Sequence, residues 1–118
     1  MHMLVVTGGS EVIGELTAQA AEAAVADAAI VSLIGAVDTC LVSNLQSDDP
    51  RLERFLEYEE PMLMSGTGEI RDGKVHIHAT LSREGDHAVV GNLHRAIADT
   101  YEVRAYVIPI PAGPYGRH

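Results

Sequence analysis

The chain has no tryptophan, one phenylalanine (Phe55) and one cysteine (Cys40) among its 118 residues. With so few large rings, Ala, Val, Ile and Leu must fill the interior. A single cysteine excludes an intramolecular disulfide and suits a reducing cytoplasm. Nothing marks Cys40 as a nucleophile, so it reads as a buried strand thiol. Cations are scarce as well: 8 Lys and Arg against 17 Asp and Glu give a net charge of −9. Nucleic-acid affinity comes largely from Lys and Arg displacing counterions, so this balance argues against direct DNA binding. Arg51, Arg54, Arg71, Arg83, Arg95 and Arg104 are scattered along the chain, and the acidity serves solubility. No apolar run approaches the roughly 20 residues of a membrane span, and no basic-then-apolar leader opens the chain. A membrane partner is therefore not expected.

What is present suits one domain. Apolar residues make up 47% of the chain, which is globular composition, and no internal repeat or linker divides it. We read residues 1–118 as a single domain with an ordered core over 3–110 and a mobile tail over 111–118. Met3–Thr7 is a first strand, broken by Gly8-Gly9. Ser10 is placed to cap a helix that carries Val12, Leu16, Ala20 and Ala24 on one face. The Gly-Gly-Ser turn lacks the lysine of a phosphate loop and reads as a plain turn. Ala29–Val37 is almost continuously apolar, which predicts a strand covered on both faces, with Gly35 at a bulge or a close approach. Strand character resumes over Thr39–Val42. Asp49-Pro50 resembles a cap and first helical turn running to Leu56, followed by the acidic group Glu57, Glu59 and Glu60, which reads as a solvated face. Pro61–Ile70 is a further strand, and Asp72-Gly73 is a tight-turn signal. Arg95–Thr100 is a short connection or helical turn, and Tyr101–Ile110 is a closing strand. The fold class is α+β: a mostly antiparallel sheet with flanking helices.

Gly73–His94 carries the strongest pattern. Val75, Ile77, Ala79 and Leu81 alternate with Lys74, His76, His78 and Thr80, so one set faces the core and the other faces away. A loop at Ser82–Asp86 sets Leu81 opposite His87, Ala79 opposite Val89 and Ile77 opposite Gly91. It also places His94 diagonally from His76 on the outer face. Two histidines two residues apart on a strand have Cα atoms roughly 6.5 Å apart on one face, close enough to share one metal ion. A third makes an open zinc site. His76, His78 and His94 are therefore the candidate metal ligands, with zinc as the candidate cofactor. His2, His87 and His118 read as incidental.

Taken in order, these features resemble the PPC (plant and prokaryote conserved) domain in its stand-alone prokaryotic form. The resemblance rests on Ile34-Gly35-Ala36-Val37, Leu63-Met64-Ser65-Gly66-Thr67, Asp72-Gly73, His76-Ile77-His78, Leu81-Ser82, Val89-Val90-Gly91 and Thr100-Tyr101-Glu102-Val103. It implies a compact sheet with flanking helices and a homotrimer. It also implies a histidine cluster able to hold a metal, in which a His-x-His strand precedes a Gly-Gly-His segment. His76 and His78 match the first pair. Gly91-Asn92-Leu93-His94 stands in place of the second, so strict overlay puts Leu93 at the third ligand, whereas the hairpin register puts His94 there. Plant members attach separate hook segments that bind the minor groove, and no Arg-Gly-Arg-Pro hook occurs here.

Two classes of function follow. One is a homotrimeric binding or regulatory module that holds a metal or small ligand and meets other proteins. The other is a small metal-dependent enzyme with Glu60 or Glu102 as base. With no nucleophile, general-base motif or phosphate loop in the sequence, the module is favoured over the enzyme. A DNA-associated role rests only on analogy with the plant relatives.

Overall fold

Nine strands and one helix account for the regular structure of residues 1–112, the part of the chain that the computed structural model describes. In chain order they are β1 (His2–Val6), β2 (Ser10–Glu11), α1 (Val12–Glu22), β3 (Ala28–Val37), β4 (Thr39–Leu45), β5 (Glu53–Tyr58), β6 (Met62–Arg71), β7 (Lys74–Ser82), β8 (Ala88–Ala98) and β9 (Val103–Pro109). They form one antiparallel sheet in the order β1-β9-β3-β6-β7-β8-β4-β5, with the short β2 added beside β8. The helix touches β1, at one end of that order, and also the neighbouring β7 and β8, four and five strands away. The sheet must therefore curl around it. Val12, Leu16 and Ala20 of α1 enter the concave face, where Ile30, Leu33, Met64, Ile77 and Leu81 make the core.

The expected sheet is present, but "flanking helices" overstates the helical part, since α1 is the one α-helix among the described residues. The helical turn expected after Asp49-Pro50 does not form; Pro50 and Arg51 make a single turn, closed by the Leu52 amide on the Asp49 carbonyl at 3.0 Å. The chain enters β5 instead, because Glu53–Tyr58 pairs along β4, which itself runs on to Leu45. Ladder hydrogen bonds outweigh a local cap-and-proline signal. Ser10 is not the helix cap either. It lies in β2 opposite Ala98, and Glu11 caps α1 with its own carboxylate, accepting from the amides of Ile13 at 3.0 Å and Gly14 at 2.8 Å. The positive end of the helix is thus already neutralised by the chain itself.

The β6–β7 hairpin turns at Asp72 and Gly73, both at positive φ (51° and 77°), as a two-residue turn between twisted strands demands. The β7–β8 hairpin differs from the expected register by two residues. Leu81 lies opposite Val89, Ala79 opposite Gly91 and His78 opposite Asn92. Ser82 stays in the strand, and the loop is Arg83–His87, closed by the Arg83 amide on the His87 carbonyl at 2.9 Å. A shift of two preserves the faces, so His76 and His78 still point away from the core.

β8 continues to Ala98 where a connection was expected. Against β4, Val42 pairs with Leu93 and Leu41 with Arg95, which leaves His94 as the extra residue of a β-bulge. In β3 the bulge falls at Val31-Ser32 rather than at Gly35, where β9 instead passes very close. Nor is β3 covered on both faces: Val31 and Ile34 are 45% and 50% exposed on the convex side. The tail residues 113–118, including His118, lie outside the described residues.

Candidate functional site: a histidine-lined cleft

Strand pairing sets a row of side chains across the convex face: Thr67, His78, Asn92, Ser43 and Phe55, on β6, β7, β8, β4 and β5 in turn. His76 stands one step further along β7, opposite Glu69. A cleft of about 460 Å³ opens over this row, lined by His76, His78, Asn92, Ser43, Glu53 and Val90. On the other side of the two histidines a second hollow of about 300 Å³ is bounded by Thr67 and Glu69. His76 and His78 form the ridge between them. Both are exposed, while Ile77 between them is fully buried and fixes the strand to the core.

His94 reaches the same face from its bulge. Its Nε2 lies 2.6 Å from the Ser43 hydroxyl, and Ser43 Oγ donates to Glu53 Oε1 at 2.7 Å. The ring also leans on Phe55, with centroids 5.1 Å apart. The two-residue alternation puts His76 and His78 on one face of β7, and the alternation of β8 up to its bulge puts His94 on the same face. As the side chains stand, no group of three or more His, Cys, Asp or Glu among the described residues is close enough to hold a metal. His2 sits on edge strand β1, and exposed His87 lies 3.8 Å from Asp86 in the β7–β8 loop.

The carboxylates named as candidate bases are elsewhere. Glu60 is paired with Arg83 at 2.6 Å, and Arg83 stacks over Tyr58 at 4.6 Å; the Glu60 hydrogen bond pushes the guanidinium still higher than usual. Glu102 lies 3.7 Å from Arg104. The carboxylate at the cleft is Glu53, which the expected helical turn concealed. Its signal was the alternation of Glu53, Phe55 and Glu57 with Arg54, Leu56 and Tyr58. Cys40 is buried in β4, and burial, with a smaller push from the Glu60 charge, raises its thiol to about 11. A thiol so rarely ionised is structural.

Residues 1–109 match the sequence profile of the Plants and Prokaryotes Conserved (PCC) domain. The chain belongs to this family. Among solved structures, the PCC chain is similar to a candidate DNA-binding protein from Ralstonia eutropha at 19% identity and TM-score 0.79, covering 98% of this chain and 86% of that one. A metal-containing protein from Archaeoglobus fulgidus is 25% identical with TM-score 0.72, over 92% and 77% of the two chains. A plant- and prokaryote-conserved protein from Pyrococcus horikoshii is 15% identical with TM-score 0.71, over 98% and 87%. No curated protein matches the PCC chain. No helix among the described residues is long and apolar enough to cross a membrane.

Proposed function

We propose that this PCC domain is a regulatory binding module that takes a divalent metal, zinc foremost, or a small metal-bound ligand at the His76–His78 ridge. The observation that carries this reading is the pair of exposed imidazoles on one strand face, opening into one cleft beside Ser43, Asn92 and Glu53. The donors present fit a metal held by two imidazoles, with His94, the third imidazole of that face, as the remaining protein donor. Bound zinc would supply open positions for a small anionic ligand. His76 and His78 would hold it, and Val90 would offer the ligand an apolar wall. The A. fulgidus relative, a metal-containing protein, supports the reading.

Zinc retention after dialysis tests it. The wild-type chain is expected to keep zinc at neutral pH and to lose it in acid, because the metal takes neutral imidazole. His76→Ala/His78→Ala should lose it while keeping stability within about 0.5 kcal/mol per site, since both side chains are exposed. Equal retention by the double variant, or none by the wild type, sinks the proposal.

The module is expected to be a homotrimer. Val31, Ile34, Leu63 and Val90 are 45–70% exposed on the convex face, apolar area that a neighbouring subunit would cover. Light scattering should return three times the 12.6 kDa chain mass, and a monomer at micromolar concentration refutes it. Regulation extends to DNA as a second reading. The R. eutropha relative is a candidate DNA-binding protein, which counts against the expectation drawn from the −9 charge. A mobility-shift titration with duplex DNA over a salt series separates the two, because a phosphate-driven complex weakens steeply with salt.

A further inference from the structure

We infer that Ser43 and Glu53 lock His94 in the tautomer that carries its proton on Nε2, leaving Nδ1 as its one free donor nitrogen. Ser43 is 1% exposed, and its hydroxyl owns a single hydrogen. Two acceptor-capable atoms compete for it: Glu53 Oε1 at 2.7 Å and His94 Nε2 at 2.6 Å. Glu53 is exposed, and as a carboxylate it can only accept. The contact to Glu53 therefore uses the serine hydrogen. Ser43 Oγ is left with lone pairs alone, and a 2.6 Å approach of a bare ring nitrogen would set two lone pairs against each other. Nε2 must carry hydrogen and donate. Nδ1 makes no hydrogen bond among the described residues, so its lone pair stays available.

Geometry also holds the ring in place. Ser43 is fixed by pairing on both sides, to Asn92 and to Phe55, and the His94 ring rests against Phe55. Ser43 is thus a positioning residue: it decides which nitrogen His94 presents. The use of that nitrogen rests on the ligand-site reading above, under which His94 joins a metal at His76 and His78 only through Nδ1, with Nε2–H turned back to the protein. Outer hydrogen bonds that fix the tautomer of a ligating histidine act in this way.

Long-range proton–nitrogen spectra of the ¹⁵N-labelled, metal-free full chain at about pH 8, where an ordinary imidazole is neutral, read the tautomer directly. The wild type should show only the Nε2–H pattern for His94, with a ring proton slow to exchange with water. Ser43→Ala should lose that slow proton, and its two ring nitrogens should move toward an exchange average. Glu53→Ala, at an exposed position that folding tolerates, should average as well, because the serine hydrogen is then free to turn to Nε2. An Nδ1–H pattern in the wild type, or spectra unchanged in both variants, overturns the lock. On adding zinc, the His94 Nδ1 resonance should shift while Nε2–H persists; loss of Nε2–H to the metal overturns it too. Failure of zinc to bind at all refutes the ligand site alone, because the lock is read without metal.

Discussion

Replacing Glu11 with Ala takes one carboxylate away from three backbone amides at once. Two belong to the first turn of α1, Ile13 at 3.0 Å and Gly14 at 2.8 Å, and the third is Ala96 of β8 at 3.1 Å. Loss of a helix cap costs about 0.5–2 kcal/mol. Ala96 is fully buried, and an amide left there without its acceptor costs about 1–3 kcal/mol more. The sum is about 1.5–5 kcal/mol, which at a urea slope of about 2 kcal/mol per molar moves the midpoint by about 0.8–2.5 M. The measurement is urea unfolding followed by circular dichroism at one fixed protein concentration, with Glu11→Gln as an intermediate that keeps one acceptor oxygen. A loss under about 0.5 kcal/mol for Glu11→Ala, or a Gln variant worse than Ala, would refute the reasoning.

Three further outcomes are expected. Gly35→Ala should cost at least about 2 kcal/mol in thermal unfolding, because the new methyl would fall 2.2 Å from the Glu102 carbonyl oxygen and 2.7 Å from Val103 Cα, both backbone atoms that cannot swing aside; an unchanged Tm contradicts it. Native Cys40, its thiol raised to about 11, should react with an aromatic disulfide at about pH 8 at least about 100-fold more slowly than in urea-unfolded chain. Asp38 accepts from the Thr100 hydroxyl at 2.7 Å and from the Thr100 and Asp99 amides at 3.0 Å, and these bonds hold its carboxyl below the usual range. A carboxyl lowered by folding stabilises above its unfolded value and loses that contribution as pH falls through the folded one. Wild type should therefore exceed Asp38→Asn in stability at pH 7, and the gap should close in acid below about pH 4; a gap of constant size at pH 3 and pH 7 refutes it.

Local signals were legible where one pattern acted alone. Asp72-Gly73 announced its turn because few dipeptides accept two positive φ angles, and Lys74–Leu81 announced its faces because the alternation is unbroken. Elsewhere a distant partner overruled the local signal. Ser10 is a good cap by composition, yet it pairs with Ala98, and its longer neighbour Glu11 reaches both the helix and β8. Asp49-Pro50 suggested a helical turn, yet β4 offered Glu53–Tyr58 a ladder. Glu53 was missed at the cleft for that reason. The faces of His76 and His78 followed from the sequence. The hydrogen bond from His94 to Ser43 did not, because it spans 51 positions and depends on a bulge.

That bulge has a bearing on how the histidine could come and go. Before it, the buried positions of β8 are odd, Val89 and Leu93; after it they are even, Ala96 and Ala98. Deleting His94 would merge the two phases into a single unbroken alternation, with each of these core side chains still facing inward. The strand carries His94 as a supernumerary residue, gained or lost by one codon without rewriting the interior. The number of imidazoles on this face is thereby uncoupled from the packing beneath it, and one scaffold can be fitted with a third or left without one.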